Sequence, residues 1–170
     1  AEALDSGADD FIDKPPGAEE LQARMRAAER LTTLQSDLIR LAETDSLTGL
    51  LNRRAFLQRT REAAQMAGSF GHLCAVILDI DHFKLFNDHY GHQTGDTALV
   101  RFAQALRQAA ALTQDLVARY GGEEFVVLMP DHGPGSAGVV AHRIRTRCAG
   151  LRIRARGAPV RFTVSLGLSV

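Results

Sequence analysis

Apolar and polar residues change their spacing several times along the chain, and each change marks an element. From Ala18 to about Glu43 there is no glycine or proline, and the good helix formers Ala, Leu, Glu, Gln and Arg dominate. Within this stretch Leu31, Leu34, Leu38 and Leu41 recur at alternating steps of three and four. That is the spacing of a coiled-coil seam or, over only about two heptads, of one amphipathic helix packed on its own domain. A helix of this length would run about 39 Å at ~1.5 Å per residue. Ahead of it, "GADDFIDKPPG" is a short strand-like piece closed by Pro15 and Pro16, which prevent a helix and force Lys14 into an extended geometry.

From Asp45 onward the pattern alternates between helical and extended spacing. Asn52 is placed to cap a helix ending near Gly68. "HLCAVILDI" (72–80) is a continuous apolar run, as expected of a central strand covered on both faces. In "DTALVRFAQALRQAA" (96–110), Leu99, Phe102, Leu106 and Ala110 share one helical stripe. "DLVARY" and "EFVVLM" flank Gly121-Gly122, the strongest short hairpin signal in the chain. Ser136 can cap a further helix in which Val140, Ile144 and Cys148 fall four apart, and "VRFTVSLGL" then alternates strictly, with Val160, Phe162, Val164, Leu166 and Leu168 facing one way. Helices interspersed with a sheet that contains a hairpin predict an α+β fold, a mixed α/β sandwich.

Composition adds exclusions. With 170 residues, 45% of them hydrophobic, there is material for one full domain and an attached segment. Lys+Arg and Asp+Glu balance at 20 each, which argues against a nucleic-acid-binding surface. No apolar run approaches the ~20 residues that span a bilayer, and no leader is expected at Ala1. Cys74 and Cys148 form no CxxC pair, so neither a disulfide framework nor a zinc site is expected and a reducing cytoplasm is the natural compartment. Both ends read as cuts in a longer protein, the second inside the strand-like "FTVSLGLSV".

The candidate chemistry begins in "LDIDHFKLFND" (78–88), where a buried strand ends in Asp79-Ile80-Asp81. Alternation sends both aspartates to one face, where carboxylates are costly unless paired, solvated or bound to metal. Magnesium takes one or two carboxylates plus substrate phosphates. Lys84 lies just beyond, where a phosphate could sit, and Asn87 and Asp96 fall in a turn-rich segment containing Gly91 and Gly95. A carboxylate and an amide can together read the donor and acceptor edge of guanine, although turn formation and N-capping by Asp96 explain the same residues. In the hairpin, Glu123 and Glu124 are neighbours on a strand and point to opposite faces, so one at most shares a cation with Asp79. Singly, each motif also reads as polar residues solvated at a strand end or turn.

Together they are specific. "DSLTGLLNRRAF" (45–56), "DIDHFKLFNDHYGHQTGD" (79–96) and "RYGGEEF" (119–125) match, in order and at the usual separations, the three signatures of the GGDEF family, the diguanylate cyclases, which the chain therefore resembles. The resemblance implies an antiparallel sheet with a GGEEF hairpin flanked by helices. It implies a magnesium-dependent enzyme, with manganese as an alternative cation, that condenses two GTP into cyclic di-GMP and two pyrophosphates. It assigns Asp79, Glu123 and the Ile80 carbonyl as metal ligands, with Glu124 a further contributor and Glu123 also the base for the ribose 3′-hydroxyl. Phe83 and neighbouring backbone amides resemble the phosphate cradle, Lys84 the cation facing the transferred phosphoryl, and Asn87, Asp96 and His92 the guanine site. Because each subunit holds one GTP, the resemblance implies a homodimer, formed through the linker helix and the catalytic domains.

The family's product-inhibition motif RxxD corresponds to "LTQD" (112–115), in which Asp115 stands as a remnant and Leu112 replaces the arginine that would grip a phosphate. "GADDFIDKPPGAEELQARMRAA" resembles the end of a response-regulator receiver domain, with Lys14 as the lysine that contacts the phosphorylated aspartate. The expected organisation is therefore a receiver remnant over 1–17, its last helix continuing as a coiled-coil linker over 18–43, and a GGDEF domain over 44–170 that lacks its C-terminal part. A histidine kinase is the implied upstream partner, with neither nucleic acid nor membrane involved. The chain by itself is expected to be weakly active or inactive. The alternatives are a catalytically silent GGDEF domain that binds GTP or cyclic di-GMP, and a related enzyme making another cyclic nucleotide.

Overall fold

A computed structural model describes residues 17–68, 71–110 and 114–170. The strand-like piece with Lys14, and Leu112, lie outside the described residues. The chain divides into two compact units, Ala1–Arg40 and Leu41–Val170.

Helix α1 spans Ala18–Glu43, has acidic residues in its first turn and Arg40 in its last, and buries none of its side chains. The charges complement the helix dipole, and the Arg24 guanidinium donates to Glu20 one turn away at 3.0 Å. Leu31, Leu34 and Leu38 are 69%, 60% and 67% exposed, so the predicted seam is an open apolar stripe.

In the second unit, α2 (Arg53–Ala67) starts where Asn52 accepts the Ala55 amide at 2.9 Å, as its sequence position predicts. Strand β1 (Leu73–Ile80) leads into α3 (Phe83–Tyr90) and α4 (His92–Ala109). The hairpin is β2 (Leu116–Gly121) and β3 (Glu124–Pro130), followed by α5 (Pro134–Gly150). Short strands β4 (Ile153–Ala155) and β5 (Ala158–Val160) pair with each other, and β6 (Val164–Ser169) closes the sequence of elements. The main sheet has the order β2-β3-β1-β6, antiparallel throughout, and the fold is α+β as expected.

One face of the sheet carries Val76, Leu78, Ile80, Phe125, Val127 and Met129 into a core completed by Phe102 and Leu106 of α4 and Val140, Ile144 and Cys148 of α5. The other face packs Val126, Leu128 and Ala118 against Phe56 of α2. That second layer is incomplete: Ile77 is 63% exposed, so β1 is buried on one face rather than two.

Three local expectations are corrected. Gly95 lies inside α4, which begins at His92, so residues 83–96 are two helices and not a turn-rich loop, and Asp96 is no N-cap. Helix α5 begins at Pro134 behind Gly133, and Ser136 donates its hydroxyl back to the Gly133 carbonyl at 2.9 Å instead of capping. The alternating run ending in "VSLGL" is broken between β5 and β6, although Phe162 still points into the core.

Candidate active site

Strand β1 delivers Asp79 to the end of the sheet between two neighbours, Glu124 of β3 on one side and Ser165 of β6 on the other. The hairpin turn beside it is Gly122–Glu123, because Gly121 still pairs with Glu124 after a bulge at Tyr120. This differs from the expected Gly121-Gly122 turn, and it lifts Glu123 off the strand. Although Glu124 is the register partner, the charge felt by Asp79 is that of Glu123: burial first, then Glu123 and Asp81, push the Asp79 carboxyl above its ordinary value. Like charges crowded at a strand end leave a deficit that a cation relieves. The Glu124 carboxylate instead lies over Gly121, where an added β-carbon would come within 3.0 Å of it.

Asp81 is engaged elsewhere. Ser165 donates to its carboxylate at 2.6 Å, and its backbone amide donates to the Thr163 carbonyl at 3.0 Å. Hydrogen bonds from Ser165 and Thr163 hold its carboxyl below the usual range. The Ile80 side chain is buried, which leaves only its backbone to face a ligand. His82 then adopts a left-handed conformation with φ 55°, and α3 opens with Phe83 buried and Lys84 exposed. The first amides of a helix have no intrahelical acceptor and favour anions.

The hairpin turn is tied down by residues to which sequence reading gave no role. Arg119 donates through Nε and Nη2 to the Gly122 carbonyl at 2.9 and 2.7 Å, and its Nη1 lies 3.2 Å from both Asp45 oxygens. Asp45 also accepts the Thr48 amide at 2.8 Å and the Thr48 hydroxyl at 2.7 Å. Burial opposes ionisation of Asp45, but Thr48 and Arg119 outweigh it and hold its carboxyl below the ordinary value. The three-residue spacing of Asp45 and Thr48 is the available sequence signal, since a short acid readily accepts from a backbone amide just beyond it.

Helices α3 and α4 bring Asn87 against Gly95, next to Asp96. The Asn87 side-chain oxygen is buried without a hydrogen-bond partner among the described residues, while Asp96 and His92 are exposed. Asp115 lies apart from these groups, its side chain buried 3.2 Å from His132 Nε2.

A model of the family described as "Diguanylate cyclase, GGDEF domain" matches residues 42–170. The chain belongs to the GGDEF family. It is 39% identical over 178 residues to the response regulator PleD of Caulobacter vibrioides, a match covering 98% of this chain and 39% of PleD. It is 40% identical over 129 residues to diguanylate cyclase DgcP of Pseudomonas aeruginosa, covering 75% of this chain and 19% of DgcP. The chain thus spans well under half of the curated relatives' length. The solved coiled coil and GGDEF domain of DgcB from Caulobacter crescentus, in complex with c-di-GMP, superposes with a TM-score of 0.76 at 34% identity, covering 87% of this chain and 79% of that one.

Within this GGDEF domain Asp79 lies at the carboxyl end of β1 and Glu123 in the neighbouring hairpin turn. A cavity of about 640 Å³ lies elsewhere, between α2 and the β2 edge, with the Glu43–Arg59 ion pair in its lining. Among the described residues no three His, Cys, Asp or Glu side chains converge on a metal-sized point, and no helix is long and apolar enough to cross a membrane.

Proposed function

We propose that this chain carries the catalytic site of a cytoplasmic diguanylate cyclase, in which Asp79, Glu123 and the Ile80 carbonyl hold magnesium and Glu124 contributes to its binding. The observation that carries this reading is the placement of Asp79 at the carboxyl end of β1, beside the start of β3 and the Gly122–Glu123 turn. Two carboxylates with a backbone carbonyl and substrate phosphates form a donor set that suits magnesium, so the residues fit the cation without a third acidic ligand. When bound, the metal supplies charge neutralisation at the phosphates and acidifies the attacking hydroxyl.

The chain's own groups do the rest. Glu123 accepts the proton of a ribose 3′-hydroxyl, whose oxygen forms a bond to the α-phosphorus of the other GTP as the bond to pyrophosphate breaks. Repeating the exchange in the opposite sense closes cyclic di-GMP and releases the second pyrophosphate. Lys84 and the first amides of α3 receive the phosphate charge, and the carbonyl-to-guanidinium clamp of Arg119 fixes the turn that bears Glu123. Asn87 and Asp96 read guanine, with His92 close by. Retention of Asp79, Glu123 and Glu124 favours this reading over a silent nucleotide-binding domain.

Two GTP sites must face each other, so the active form is a homodimer. The open leucine stripe of α1 supports a coiled-coil contact, as does the likeness to the DgcB coiled coil and GGDEF domain. Similarity to PleD over 98% of the chain supports the receiver remnant at 1–17, the linker at 18–43, the cyclase domain from 44 onward and control by a histidine kinase. With Leu112 in place of arginine and Asp115 buried against His132, product inhibition through that motif is weak or absent.

The reading is tested by the Glu123→Gln variant of the full-length protein in a GTP turnover assay with magnesium. A loss of about 100-fold or more is expected of a group that both binds metal and takes the proton. An unchanged rate refutes the assignment.

A further inference from the structure

Gly95 is an unusual residue for its place. It sits inside α4, where alanine is the better helix former, and its φ is not positive, so backbone freedom does not explain it. Sterics do. A β-carbon built on Gly95 would lie 1.8 Å from the Asn87 side-chain oxygen, 2.9 Å from its Cγ and 3.2 Å from Cζ of Phe83. The Phe83 ring belongs to the main core and stacks near-parallel on Phe86 with centroids 6.2 Å apart, so it is poorly placed to retreat. Asn87 is only half-buried, and its side chain is the group that must swing away.

The atom that would be displaced is also the one left without a partner. The Asn87 Oδ1 is buried and accepts no hydrogen bond among the described residues, and a buried acceptor in this state calls for a donor. Guanine carries amino and ring N–H donors where adenine presents a C–H and a bare ring nitrogen. We infer that Gly95 is a specificity-determining position: its missing side chain leaves room for the Asn87 amide against α4, and any larger residue there displaces that amide and forfeits the preference for guanine. Gly95 acts through Asn87 and touches no reacting atom. The inference rests on the proposed guanine site.

The test uses equilibrium titrations of the full-length protein with 3′-deoxy-GTP and 3′-deoxy-ATP, which lack the attacking hydroxyl and bind without turnover. The wild type should prefer the guanine nucleotide. Gly95→Ala should reduce that preference about tenfold or more, the scale set by loss of a buried hydrogen bond, with 3′-deoxy-ATP affinity changed less than about twofold because the phosphate contacts are separate. The double variant N87A/G95A should bind no more weakly than N87A alone, since the clash is with the Asn87 side chain. A G95A protein that keeps the wild-type preference overturns the inference, as does a second, equal loss in the N87A background, which would mark a general packing defect. If G95A alone fails to fold, N87A/G95A should fold; failure of both overturns it. A wild type without guanine preference would instead remove the underlying guanine-site reading.

Discussion

Removing the Arg119 side chain should loosen the catalytic turn without touching a catalytic atom. Arg119→Leu deletes two N–H bonds to the Gly122 carbonyl, at 2.9 and 2.7 Å, and the contact with both Asp45 oxygens at 3.2 Å. The two side chains are 17% and 22% exposed, so water screens the pair only in part. Hydrogen bonds involving a charged group contribute roughly 1.5–3 kcal/mol each when buried. Discounting for access of water and for the apolar packing that leucine would supply, the whole clamp is worth about 2–3 kcal/mol. For a domain of this size that is a fall in Tm of roughly 6–12 °C. Differential scanning calorimetry of R119L, D45A and the double variant provides the assay, and a coupling of about 1 kcal/mol or more between the two sites is expected of groups in direct contact. The kcat should fall at least about tenfold because Glu123 loses its fixed place, the rate scale of misplacing one catalytic group. A Tm within about 2 °C of wild type, or fully additive effects of the two substitutions, would refute the clamp at the precision of such measurements.

Other outcomes follow from single contacts. Because Asp45 binds its proton more weakly in the folded chain than in the unfolded one, its stabilisation is complete above about pH 4 and is lost as pH falls below that; denaturant midpoints of wild type and Asp45→Asn should draw together as the pH is lowered through that range, and parallel curves would contradict this. Burial raises the Cys74 thiol and pushes Cys148 up to about 12, so a thiol reagent at pH 8 should label both only after denaturation; stoichiometric labelling of the native protein would be contrary evidence. Replacing Leu34 and Leu38, both exposed on α1, with asparagine should abolish self-association in sedimentation experiments and cut cyclase activity at least about tenfold while leaving the catalytic unit folded. An unaltered dimer would place the contact elsewhere. Ser165→Ala removes the 2.6 Å bond to Asp81 and should cost about 1 kcal/mol, read as a lower denaturant midpoint with unchanged m-value.

Period alone located most elements here. The helix over Ala18–Glu43 and the Asn52 cap agree with the structure residue for residue, since propensity and a capping side chain act locally. The apolar run of β1 was legible as a strand but not its one-sided burial, because a continuous run does not say how much lies over Ile77. Gly95 reads as a turn from sequence and is helical in fact, because its reason is the Asn87 side chain eight residues earlier rather than its own backbone. The acids of the site were visible as motifs. Their arrangement was not: Arg119 and Asp45 are 74 positions apart, and the bulge at Tyr120 moves the turn to Gly122–Glu123.

Whether Asp79 and Glu123 serve the joining of two GTP molecules is tested most directly by identifying the product. The full-length protein, dimerised and supplied with GTP and magnesium, should yield cyclic di-GMP and two equivalents of pyrophosphate by chromatography and mass spectrometry, with none from Glu123→Gln above background. Absence of a cyclic dinucleotide from the dimerised wild type, or equal yield from the variant, would contradict that role.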